Sequence, residues 1–174
     1  MYTVDDQNQV VKLQGVPKAS VGAPLPFVVS GEYTTILTYY IENTPDNLKG
    51  VSVRIRDTDP EGELVAVVQF SHCLSHLLGL PDEATLHTHP LTQYGLEANE
   101  IYVIENSPWV HQFKHINTTH PYFSSVFLDL KHFVFTFHDS TFECVAENFD
   151  VWLHRGPIRN VVPHMMKLLE HKQN

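Results

Sequence analysis

Apolar and polar residues alternate with a period of two along much of this chain, and with a helical period in only a few short stretches. "YTTILTYYIEN" (33–43) is β-branched and aromatic, "TPDNLKG" (44–50) has turn composition and "VSVRIRD" (51–57) alternates, which predicts two antiparallel strands. After a second turn at "TDPEGE" (58–63), the unbroken apolar run "LVAVVQF" (64–70) suits a strand covered on both faces and central in its sheet. "EIYVIEN" (100–106) reads as a further strand. In "KHFVFTFHDSTFECVAEN" (131–148) alternation continues on both sides of the turn-forming pair Asp139 and Ser140, so a β-hairpin is expected over about 131–147. With residue 138 opposite 141, one hairpin face carries Phe133, Phe135, Phe137, Phe142, Cys144 and Ala146 and belongs to the core. The other carries His132, Thr136, His138, Thr141, Glu143 and Glu147, and is expected to face water.

Helical signals are shorter. Ser71 is placed to cap a helix over "HCLSHLL" (72–78), with Gly79 as its stop and Pro81 just beyond. Ser107 is an N-cap ahead of Pro108 at the first position of "PWVHQFKHIN" (108–117). In "VVPHMMKLLEHK" (161–172), Val162, Met165, Met166 and Leu169 recur at helical spacing and predict a helix docked on the sheet. Residues 1–30 mix polar residues with Gly15, Pro17, Gly22, Pro24 and Pro26, an irregular arm with at most a short strand near Val10 to Leu13. The expected fold is α+β: residues 31–174 as a single domain, mainly antiparallel, with two or three helices packed on the sheet.

Composition narrows the function. A chain of 174 residues, 43% of them hydrophobic, is long enough for one domain with a core. A formal charge of -9 argues against nucleic acid and anionic membrane as partners, since both are bound by neutralising phosphates with Lys and Arg. Protein or small-molecule partners remain, and the aromatic content leaves a homodimer open. Twelve histidines make that charge pH-sensitive: protonating all of them would bring -9 to +3. Cys73 and Cys144 form no disulfide framework, "MYTVDDQNQV" lacks a basic and apolar leader pattern, and no apolar run has bilayer length, so the expected location is the cytoplasm.

The candidate chemistry lies in "TLHTHPLTQYGLEANE" (85–100). On a strand, His87 and His89 would point to one side and could hold a single metal ion. His72 with His76, and His111 with His115, have the i, i+4 spacing of one helical face. Chance alone yields about one such pair at a given spacing in a chain this rich in histidine, so ordinary surface histidines are the competing reading. "HTHP" resembles the metal-binding segment of the JAMM (MPN+) metalloproteases, in which His-x-His-Pro is followed by six residues, a serine and, beyond it, an aspartate ligand. Here "LTQYGL" supplies the six residues, with Glu97 at the serine position and Glu100 at the aspartate position. The resemblance implies zinc held by His87, His89 and Glu100, with Glu32 or Glu42 activating its water. Glutamate at both positions departs from the family pattern, and the likeness spans 16 residues.

A cysteine nucleophile is disfavoured, because Cys144 points to the phenylalanine face and His138 to the other. Glycine-rich phosphate loops, G-x-S-x-G and Cys-x-x-Cys are absent from the sequence. His132, Thr136, His138 and Glu143 form a polar strip that could serve as a pH-responsive partner surface. The leading expectation is therefore a non-catalytic cytoplasmic binding or interaction protein with no cofactor. The alternative is a zinc-dependent hydrolase or metal-holding module centred on His87 and His89.

Overall fold

The computed structural model describes residues 2–42, 44, 54–57, 62–118 and 129–170, with the backbone alone at 54–57 and 117. Among these residues the chain forms ten strands and two α-helices, mixed α and β, and divides into two compact units. The first unit is Met1–Leu13 with His72–Asn148; the second is Gln14–Ser71 with Phe149–Asn174. Most of the turn expected at 44–50, the start of the strand at 51–53 and the turn at 58–61 lie outside the described residues.

The second unit holds a five-stranded sheet of β2 (Phe27–Ser30), β3 (Thr34–Tyr40), β5 (Leu64–Ser71), β10 (Asn148–Arg155) and β4 (Arg54–Asp57), in that order. β5 is the apolar run expected to be central, and it lies in the middle with Leu64 to Phe70 buried. β4 pairs in parallel with β10, not in antiparallel fashion with β3, because β2 and β5 occupy both edges of β3. Helix α2 (Val162–Glu170) packs on β2 and β3, with Met165 buried among Ile36, Val65 and Val67. Met166 of the same helix stays exposed.

The first unit holds the order β1 (Gln9–Lys12), β7 (Ile101–Glu105), β8 (Lys131–Thr136), β9 (Thr141–Ala146) and β6 (Ser75–Gly79), every neighbouring pair antiparallel. The expected hairpin is β8 and β9. Its register puts Thr136 opposite Thr141, two residues from the expected pairing, and Phe137 N–H closes the turn on Ser140 O at 2.8 Å. A shift of two keeps each side chain on its face. The strands thus fall into two sheets where one was expected, and the leading residues contribute β1 and β2 to different sheets.

Two expectations are corrected. Residues 75–79 are a strand where a helix was expected over 72–78. A helix that short is marginal by itself, whereas pairing with β9 satisfies the backbone groups along one edge of the segment, and His72, at φ 49, turns the chain into the strand. The second hairpin face is not wet along the paired strands either: His132, Thr136, Thr141 and Glu143 are buried, while His138 at the turn is exposed and Glu147 half-buried. The segment before β1, the turns at Leu86–Thr88 and Pro90–Tyr94, and helix α1 (Pro108–Thr118) supply the apolar residues that pack around Val134 and Val145 on this face.

Phe135 is fully buried, with Phe142 edge-on at 5.9 Å. Phe135→Ala is expected to lower stability by about 3–5 kcal/mol through lost burial and the cavity left behind, read from the urea midpoint.

Candidate functional site

β8 and β9 bring His132 and Glu143 diagonally together, since Val134 is the partner of Glu143 and Val145 that of His132. Glu143 Oε2 lies 2.9 Å from His132 Nε2 and accepts from Tyr2 O–H at 2.5 Å. Glu143 Oε1 lies 3.1 Å from His89 Nε2. Behind His132, its Nδ1 lies 3.0 Å from Ser107 Oγ, which also accepts from Val110 N–H as the N-cap of α1. The Tyr2 ring stacks on Trp109 at 5.7 Å, and both rings stand edge-on to His132 at 5.1 and 5.2 Å.

The hydrogen bonds assign the ring protons. Leu91 N–H donates to His89 Nδ1 at 3.2 Å, so that nitrogen is bare and the proton sits on Nε2, from which it is donated to Glu143. His132 donates from Nε2 to the carboxylate and accepts the Ser107 hydroxyl proton at Nδ1. Glu143 thereby accepts three hydrogen bonds from His132, His89 and Tyr2.

Burial by itself would raise the Glu143 carboxyl, but the donors His132, His89 and Tyr2 outweigh it and hold the group well below the usual carboxylate range. Burial pushes His132 down from 6.5, against the opposing pull of Glu143. Burial and the neighbouring carboxylate both push the Tyr2 hydroxyl up. The resulting state is one anionic carboxylate surrounded by neutral donors.

Ser107, His132 and Glu143 have the residue types of a nucleophile relay. Ser107 is 2% exposed, however, and is engaged as a helix cap, so a substrate carbonyl has no approach to it. His89 has both ring nitrogens engaged. A metal-ligating histidine ordinarily donates its other ring proton to an acceptor. Here that nitrogen faces a backbone donor, and the nitrogen aimed at Glu143 carries the proton. Among the described residues no group of three or more His, Cys, Asp or Glu is arranged to hold a metal ion.

His87 and His89 do not lie on a strand: two 3-10 turns separate their directions, leaving His87 exposed with Nδ1 3.2 Å from Ala84 O, and His89 buried. Glu100 pairs with Lys12 at 3.1 Å, and Glu97 pairs with the same ammonium at 3.4 Å. Glu32 and Glu42 belong to the second unit. Of the polar strip, His132 and Glu143 meet in the network, Thr136 Oγ donates to Glu97 O at 2.8 Å, and exposed His138 pairs with Glu83 at 2.8 Å. That hydrogen bond to Glu83 raises the His138 imidazole above 6.5. Tyr2 went unnoticed in the sequence, having no local pattern. The one signal for Glu143 was a lone carboxylate between Phe142 and Cys144 in a strand of apolar neighbours.

No protein-family model, curated protein or solved structure matches this chain.

Two measurements follow from the network. His89→Ala strands Glu143 Oε1 and Leu91 N–H in the interior and should lower stability by roughly 3–5 kcal/mol, whereas exposed His87→Ala should stay within about 0.5 kcal/mol. Parallel urea titrations compare them; equal, small losses would show that the network carries little. For pH, His132 is held neutral by the fold, so below 6.5 the unfolded chain binds a proton that the folded chain refuses. Glu143 acts in the same direction below its ordinary 4.5. Stability is therefore expected to fall as pH drops below about 6.5, and again below about 4.5, by up to ~1.4 kcal/mol per pH unit for each group. His132→Gln should flatten the first of these slopes.

Proposed function

We propose that the chain is a binding or interaction protein without its own catalysis, and that the outer edge of β6 is its contact surface. The observation carrying this reading is the exposure of Leu77, Leu78 and Leu80 at 53%, 40% and 81% on and just after a strand that, among the described residues, ends its sheet. Grouped apolar residues at a sheet edge mark a place where another chain gains by docking. Supporting it, the most chemically versatile side chains of the first unit are turned inward and mutually hydrogen-bonded. The membrane is a poor partner for this reading, since no helix among the described residues is long and apolar enough to cross one. Action in the cytoplasm is supported by Cys73 and Cys144, which are buried thiols not joined in a disulfide.

The test is a photo-crosslinking residue at position 80 in the full chain, expressed in cells. A discrete adduct that disappears with Leu77→Lys, while the melting temperature is unchanged, is the expected result. No adduct at position 80 would overturn the contact surface. About one zinc per chain, lost in a His87→Ala, His89→Ala double variant, would overturn the non-catalytic reading in favour of the metal site.

A further inference from the structure

We propose that the occupant of the β6 edge is a second copy of this chain, with β6 pairing antiparallel to β6 of that copy about a two-fold axis at Leu77. The inference rests on the reading of β6 as a contact surface and supplies its partner.

Among the described residues β6 is the terminal strand of the first unit's sheet, paired through one edge with β9. Alternate N–H and C=O groups of a terminal strand point away from the sheet, and the group that satisfies them in register is another extended backbone. That requirement selects a strand over a helix or a small molecule.

The sequence of β6 makes its own copy suitable. Its five residues are Ser75, His76, Leu77, Leu78 and Gly79, and a two-fold axis at the third places Ser75 against Gly79, His76 against Leu78, and Leu77 against itself. Small residues meet at both ends and leucine meets leucine at the centre. One position beyond the strand, exposed Leu80 falls opposite half-buried Leu74. Charge points the same way. β6 contains no Asp, Glu, Lys or Arg, so two chains of net charge -9 can meet there without apposing like charges, and a basic foreign strand finds no counter-charge within it. The opposite edge of the same sheet differs: β1 carries Lys12, the kind of residue that keeps an edge from self-pairing.

The test uses the full chain. Sedimentation equilibrium up to about 200 µM should show a species of twice the 19.9 kDa chain mass, and Leu78→Lys should raise its dissociation constant by at least about tenfold. In the proposed register the two Leu77 Cα atoms lie about 4.5–5.5 Å apart, within disulfide range, so Leu77→Cys should cross-link under mild oxidation. Met166→Cys, also exposed but on α2, should not, and the native thiols are buried. A monomer at every concentration overturns the proposal; if the position-80 adduct with another protein persists, the contact surface stands with a different occupant. A dimer in which Leu77→Cys cross-links no better than Met166→Cys also overturns it, by moving the interface off β6.

Discussion

The structure of the first unit turns on one constraint: the carboxylate of Glu143 is buried at 7% exposure and still ionised. A buried charge without partners is penalised by several kcal/mol, and this one is relieved by His132 from the neighbouring strand, His89 from the turn before Pro90 and Tyr2 from the segment ahead of β1. Each donor must be in place for the others to be worth their own burial. The carboxylate therefore holds the turn and the leading segment on the sheet, and through His132 and Ser107 it reaches the first turn of α1. Apolar packing of Trp109, Val110, Leu86 and Leu91 around Val134 and Val145 adds the area burial that polar contacts alone do not provide.

The same hydrogen bonds occupy the polar atoms of these residues. Catalytic histidines and metal ligands need a free nitrogen or an open position at the group they act on. In this network Leu91 N–H occupies His89 Nδ1, Ser107 is a cap, and both carboxylate oxygens accept. What the unit offers outward is of another kind: leucines and backbone along β6. The unit thus combines an inward polar network with an outward apolar edge.

The strands around 34–40, 64–71, 101–105 and 131–146, the Ser107-capped helix and the final helix follow from alternation, capping and turn chemistry within a few residues, and were legible in the sequence. So was the division of the hairpin into two sets of side chains, because parity survives a register shift of two. Where the reading failed, the cause was distant. The segment 72–78 has helix-like ends, but one edge of its backbone is claimed by β9, whose residues lie more than sixty positions later. The placement of His87, exposed, and of His89, buried, has by contrast a local cause, the two 3-10 turns that hold them.

Residue type and spacing by themselves determined that this chain is a folded α and β protein with an alternating hairpin, because those signals act between neighbours along the chain. Only tertiary structure decided that the second hairpin face is dry from His132 to Thr136 and from Thr141 to Val145, and that Glu143 is its centre. Its partners Tyr2 and His89 are 141 and 54 residues away in sequence, and no local pattern records a hydrogen bond closed over that distance.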